Sequence, residues 1–149
     1  MRTGWVAALA AATLVLVACS SSGNDNPTIG GGVGQIADVT MQAVNGGQSG
    51  TATVTESPSL VMTVTIKLDN APQGAQQPAG VHAGTCANYD PRAKFGLNTV
   101  VSGKSASSAL NTTLGELQSS PYVIVVERAS GDTTPVSCGP IPQASPSAT

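Results

Sequence analysis

The stretch that decides the fold is Leu60-Val61-Met62-Thr63-Val64-Thr65-Ile66-Lys67-Leu68. Its even-numbered residues are all apolar, whereas its odd-numbered residues are mostly threonine or lysine. Strict alternation of this kind predicts a β-strand with one face in a core and the other in water. Threonine, valine and isoleucine also favour strands because their branched side chains fit a pleated surface. We therefore expect a β-rich domain.

Shorter segments with a similar pattern lie on both sides of this strand. They cover residues 36–44, 50–55, 79–82 and 105–113, and residues 122–128 contain the unbroken apolar run Val123-Ile124-Val125-Val126 that is typical of a strand buried on both faces. Only Thr112–Leu117 suggests a helix, a single turn with a threonine cap and an acid three residues later. Six or seven short strands separated by turn signals predict an all-β domain, either a Greek-key β-sandwich or a barrel.

The first residues have the character of an export signal. Arg2 gives a positive start, and Trp5–Val17 then runs without a charge. This apolar run is too short for a membrane-spanning helix, which needs about 20 residues. It ends at Ala18-Cys19 and is followed at once by a polar, serine-rich segment. A cleaved signal peptide over residues 1–18 is therefore predicted.

Leu16-Val17-Ala18-Cys19 resembles the bacterial lipobox, in which a small residue precedes the cleavage site and the cysteine after it receives a diacylglycerol group. Acyl chains hold a protein at a membrane by about 0.8 kcal/mol per buried methylene. The resemblance implies that Cys19 is lipidated, with palmitate among its acyl chains, and that the protein is anchored in the cell membrane on its extracytoplasmic side. The alternative is an ordinary secretory signal with an incidental cysteine.

Composition divides the rest of the chain into three parts. Residues 19–34 are predicted to be a lipidated flexible tether, residues 35–139 the folded domain, and residues 140–149 a disordered tail. After cleavage the basic residues are Lys67, Arg92, Lys94, Lys104 and Arg128, against eight acidic residues. No basic patch can attract phosphate groups, so nucleic acid is not an expected partner. The membrane, reached through the lipid, is the expected partner, and the residues single out no protein or small ligand.

Cys86 and Cys138 form an even pair once Cys19 carries lipid. In an oxidising compartment a disulfide between them is the expected outcome. Two free thiols in a redox or metal site are the alternative, although neither cysteine lies in a Cys-x-x-Cys motif. The chain has a single histidine, so neither a Ser-His-Asp triad nor a zinc-protease site can be argued, and no catalytic residue is assigned. Ser102-Gly103-Lys104-Ser105 imitates the end of a phosphate-binding loop but is expected to be a hairpin turn.

Three segments together resemble the copper/zinc superoxide dismutases and their lipoprotein relatives. They are Pro78–Cys86, Pro121–Glu127 and Ser137–Ile141. In that family a His-x-His strand precedes a loop cysteine, a late strand ends in Val-His, and a Cys-Gly pair closes a disulfide. The resemblance implies an eight-stranded Greek-key barrel, within the immunoglobulin-like topology class, and a bond between Cys86 and Cys138.

The metal ligands of the family do not carry over. Gly80 stands where the first histidine of His-x-His would be, and only His82 remains of that motif. Glu127 stands in the place of the histidine that ends the late strand. A copper site built from neutral imidazoles cannot be assembled from one imidazole. The resemblance therefore implies a degenerate metal pocket at Gly80, His82 and Glu127, with no metal and no cofactor expected.

Two interpretations of His82 and Glu127 remain open. In the first, the pocket has become ordinary surface, with His82 hydrogen-bonded to Glu127. In the second, the pair forms a weak site for one metal ion or a small ligand. At the level of function, the first predicts a non-catalytic surface lipoprotein used for binding or envelope interaction. The alternatives are a residual copper-dependent redox enzyme and a carrier of a small ligand or metal.

Overall fold

The computed structural model describes residues 34–145. The strands are β1 (Gln35–Ala43), β2 (Gly50–Glu56), β3 (Met62–Leu68), β4 (Gln76–Thr85), β5 (Asn88–Tyr89), β6 (Phe95–Val101), β7 (Lys104–Leu110), β8 (Tyr122–Ala129) and β9 (Asp132–Pro140), and the helix is α1 (Leu114–Ser119). Within this range no helix has the length and apolar character needed to cross a membrane. The predicted signal peptide, Cys19, all of the predicted tether except Gly34, and residues 146–149 of the predicted tail lie outside the described residues.

Eight of the strands form a closed antiparallel barrel. Their order around it is β1, β2, β3, β7, β6, β4, β8 and β9, and β9 pairs again with β1. Closure depends on β4, which pairs with β6 on one side and with β8 on the other. The short β5 pairs only with the end of β4 and stands outside the barrel. The prediction of an all-β domain is confirmed, and the architecture is a barrel.

The barrel interior is filled by small and medium apolar side chains. In β3, Met62, Val64 and Ile66 are buried while the threonines between them face outward, as the alternation predicts. The core residues are Ala37, Val39, Met41, Ala52, Val54, Met62, Val64, Ile66, Leu68, Val81, Val100, Leu114, Leu117, Ile124, Val126, Val136 and Ile141. An eight-stranded barrel is just wide enough for such side chains to fill it.

One end of the barrel, here called the base, carries both the start of β1 and the end of β9. Helix α1 lies there and buries Leu114 and Leu117. Its first turn is stabilised twice, because Thr113 Oγ1 accepts a hydrogen bond from Glu116 N at 3.1 Å and the buried Glu56 carboxylate accepts one from Leu114 N at 3.0 Å. Ile141, in the segment predicted to be a tail, is buried in the core.

The strands that the pattern predicted are present, with small shifts in their bounds. The run Val123–Val126 in β8 is buried on both faces, as expected. Ser102-Gly103 forms the two-residue hairpin turn between β6 and β7, and both residues have positive φ. β9 was not predicted as a strand, β6 was predicted only as the strand that leads into the hairpin turn, without bounds, and the predicted segment 105–113 ends as a strand at Leu110.

The hairpin between β2 and β3 contains an unusual leucine. Leu60 N donates to Ser57 O at 2.9 Å, and Ser57 N donates to Val61 O at 2.9 Å. Leu60 closes this turn with φ of 59°, in the left-handed region. Hairpin loops of this kind usually place glycine at the left-handed position, because a Cβ atom costs about 1–2 kcal/mol there. The loop is therefore less stable with leucine at position 60 than it would be with glycine there.

Replacing Leu60 by glycine should raise the free energy of unfolding by about 1 kcal/mol relative to Leu60→Ala, because only glycine relieves the left-handed strain. Chemical denaturation of the two variants and the wild type measures this difference. The alanine variant is the control, since it removes the exposed side chain but keeps the Cβ atom. Equal stability of the glycine and alanine variants would contradict the strain.

Candidate functional site

The residues of the predicted pocket lie on the outer face of β4 and β8. In the antiparallel register His82 is opposite Val123 and Gly80 is opposite Val125. Residues directly opposite one another project from the same face of a sheet. Val81 and Ile124, one position further along, belong to the core, so His82 and Gly80 face away from the barrel interior.

A loop tied down by a disulfide covers this outer face. Cys86, just after β4, is bonded to Cys138 in β9, and their Cα atoms are 5.8 Å apart. The predicted disulfide is confirmed. Cys138 lies with Val123 and Val125 in a second, smaller apolar cluster outside the barrel, against which Cys86 and Tyr89 pack. The loop that follows Cys86 is therefore held against β4, β8 and β9.

His82 is enclosed by this loop and is only 3% exposed. Its Nδ1 atom lies 2.8 Å from the carbonyl oxygen of Asp90. A carbonyl oxygen can only accept, so Nδ1 donates, and in the neutral ring Nε2 is then an acceptor. The Tyr89 ring meets the imidazole edge to face, with centroids 5.1 Å apart and planes at 71°. The loop thus fixes the position and the tautomer of the imidazole.

The space above Gly80 is already filled. A Cβ atom at this position would lie 2.8 Å from the Cβ atom of Ala93 and 3.0 Å from Nε2 of His82. Both distances are below those of ordinary van der Waals contacts. Gly80 is therefore required by the packing of Ala93 and the imidazole over the strand, and a side chain here would displace one of them.

Glu127 lies on the same side of the barrel but away from His82. Since Val123 is opposite His82, Glu127 is four residues further along β8, a rise of about 13 Å at strand spacing. Within the described residues no hydrogen bond joins the two side chains. The carbonyl oxygen of Asp90 is the hydrogen-bond partner of His82 instead. The charge of Glu127 acts on Tyr89 instead, since burial first and the Glu127 charge second raise the pKa of the Tyr89 phenol above its ordinary value of 10.0.

This arrangement does not fit a copper centre of the kind found in the family that the sequence resembles. The place of a second imidazole at Gly80 is taken by Ala93 and by His82 itself. Within residues 34–145, no group of three or more histidine, cysteine, aspartate or glutamate side chains is placed to hold a metal ion. Both cysteines in that range are joined in the disulfide. What the site can do is hold one imidazole rigidly beneath a cross-linked loop.

Sequence reasoning identified His82 and the cysteines but missed the residues that surround them. Tyr89, Asp90 and Ala93 form the cover over β4, and none was singled out. Asn88 and Pro91, shortly after Cys86, are residues typical of turns and could have indicated a loop, but not its path. Its path is set by two backbone hydrogen bonds, Asp90 N to Ala83 O at 2.8 Å and Lys94 N to Val81 O at 2.7 Å. Local sequence does not encode such contacts.

Comparison with family models, with curated proteins and with solved structures gave no match to this chain.

The crowding at Gly80 gives a direct test of the site's packing. Gly80→Ala should lower the free energy of unfolding by about 1–3 kcal/mol, the usual cost of adding a methyl group to a filled space. Adding Ala93→Gly should recover much of this loss, because it removes the closest contact. Denaturation of the two single variants and the double variant measures the coupling between the two positions.

Gly96 provides a matched control, since it lies directly opposite Gly80 on the neighbouring strand β6. A Cβ atom at Gly96 would meet nothing within 4 Å. Gly96→Ala should therefore stabilise the protein slightly, by about 0.5 kcal/mol, because alanine loses less backbone entropy on folding. If Gly80→Ala behaved like Gly96→Ala, the described packing of Ala93 and His82 would be wrong.

Proposed function

We propose that this chain is a lipid-anchored surface lipoprotein whose barrel is a degenerate, non-catalytic relative of the copper/zinc superoxide dismutases. The domain acts as a stable module for binding or envelope association on the extracytoplasmic side of the membrane. The proposal that the barrel is non-catalytic rests on the filled space above Gly80, where Ala93 and His82 occupy the place of a second imidazole.

The connectivity of the barrel supports the relationship to that family. Strands β4, β6 and β7 follow one another as neighbours, and β8 returns to lie beside β4, so the spatial order is β8, β4, β6, β7. We interpret this order as a Greek key, in which a fourth strand returns beside the first of three consecutive strands. The bond between Cys86 and Cys138 joins the two cysteines that the family pattern would join.

The filled interior supports a binding role at the surface over transport of a small ligand. The core side chains of the described residues occupy the inside of the barrel and are less than a tenth exposed. Eight-stranded barrels that carry a ligand keep an interior cavity for it. In this chain a partner would meet the ends or the outer face of the barrel.

The anchor depends on Cys19, which alone offers a thiol for lipid at the predicted cleavage site. Cys19→Ala should abolish incorporation of a labelled fatty acid and leave the precursor uncleaved, as read by mass spectrometry of the expressed protein. Ser20→Ala is the matched control and should be labelled and cleaved like the wild type. Normal cleavage and labelling of Cys19→Ala would refute the lipoprotein assignment.

The mature protein is expected to contain no stoichiometric copper and to show no rapid superoxide dismutation after incubation with copper and removal of the excess. Metal analysis and a superoxide assay on the same sample measure both properties, and His82→Ala gives the baseline without an imidazole. One copper ion per chain with fast dismutation would overturn the non-catalytic proposal. Copper bound by the wild type but not by His82→Ala, without dismutation, would favour the metal-carrier alternative instead.

A further inference from the structure

Three apolar side chains are exposed at the base of the barrel. Ile36 projects from the outer face of β1 and is 63% exposed, Leu60 at the tip of the β2–β3 hairpin is 69% exposed, and Val61 beside it is also exposed. Ile36 is opposite Thr55, two residues before the hairpin begins at Ser57. These three residues, here called the base patch, are most of the large apolar side chains left in water by the described residues.

The hairpin holds Leu60 outward at a cost. Its φ of 59° is a conformation that glycine adopts freely and leucine adopts with strain. Glycine at this place would give the same turn with less strain and less exposed apolar surface. Leu60 combines a strained backbone with an exposed apolar side chain. This combination points to a contact that the side chain makes with another surface.

The base patch lies where the chain enters the barrel. A Cβ atom at Gly34 would touch Ser57 Cα at 3.4 Å, so the polypeptide reaches β1 alongside the hairpin that carries Leu60. Between Cys19 and Gly34 the chain is about 15 residues long, which even when fully extended spans at most about 50 Å. An anchor on Cys19 therefore keeps this end of the barrel within about 50 Å of the bilayer.

From these observations we infer that the base patch inserts into the lipid surface to which the chain is anchored, with Leu60 as the most deeply inserted residue. This inference rests on the proposed lipid anchor and adds an orientation to it. The base of the barrel faces the membrane, and the opposite end, which carries the turns at Gly46, Gly74, Gly103 and Gly131, faces outward.

The contact is apolar in character. The chain has no lysine or arginine between Arg2 and Lys67, so neither β1, β2 nor the hairpin can attract anionic head groups. Apolar side chains that lie at a membrane interface enter the boundary of head groups and acyl chains by about 5–10 Å. Contact by the base patch should therefore be equal on zwitterionic and anionic vesicles and should not weaken with salt.

Tryptophan fluorescence can test this orientation, because the only tryptophan of the chain, Trp5, lies in the predicted signal peptide. The purified lipidated protein carrying Leu60→Trp is reconstituted into phosphatidylcholine vesicles with and without brominated acyl chains. In vesicles without bromine the indole should emit at a shorter wavelength than in detergent-free buffer. In vesicles with brominated acyl chains most of its emission should be quenched. Val101→Trp, at the opposite end of the barrel and 50% exposed in the wild type, is the matched control and should do neither.

Two further measurements separate the possible outcomes. Flotation of the same vesicles measures whether the anchor holds the protein on lipid. Quenching in a variant that adds Ile36→Ser and Val61→Ser to Leu60→Trp measures the contribution of the other two residues of the base patch. The serine changes should reduce quenching if the patch makes the contact, whereas unchanged quenching would show that the new indole alone draws the loop to lipid and would overturn the inference. Flotation with an unquenched indole overturns the inference alone. Loss of flotation overturns the proposed anchor together with it.

Discussion

The pairing of β4 with β8 is the contact on which the rest of the structure depends. Five residue pairs, from Ala79 with Val126 to Ala83 with Tyr122, join strands that are far apart in the chain and close the barrel. On the inside this pairing brings Val81 and Ile124 into the core. On the outside it sets Gly80 and His82 beside Val125 and Val123. The core and the outer site are thus two faces of the same strand pair, and neither could form without barrel closure.

The disulfide extends this arrangement outward by one layer. Cys138 lies opposite Val125 in the β8–β9 pairing, so its bond to Cys86 fastens the loop after β4 directly over the closing strands. In the chain-entropy model a link across a separation of 52 residues stabilises a protein by about 4 kcal/mol. The loop needs this support, because the second apolar cluster is small. The result is a buried imidazole on the outside of a barrel, which water or a metal ion would otherwise reach.

A strand could be predicted from the sequence where its own residues form an uninterrupted pattern. β3 and β8 were predictable because their side chains alternate or stay apolar without interruption. β9 was not, since Pro135 and Gly139 interrupt it and a register shift beside Val136 sends that residue to the core while Cys138 faces the outer cluster. β6 buries only Val100 fully. In the site, His82 and the cysteines were recognisable, but Asp90 and Ala93 were not, because long-range contacts place them there.

Gly80 and Ala93 explain why the outer site is closed rather than merely short of ligands. A side chain at position 80 and a methyl group at position 93 compete for one space, and the imidazole of His82 leans into the same space. A histidine introduced at position 80 alone would meet a filled volume, so a metal site cannot be approached through one change at a time. The flank of β4 and β8 is covered in this way, and the large apolar side chains that remain exposed in the described residues lie at the ends of the barrel, with Val101 at one end and Ile36, Leu60 and Val61 at the base. The base, where the chain arrives and the strained Leu60 projects, is accordingly the more apolar of the two ends.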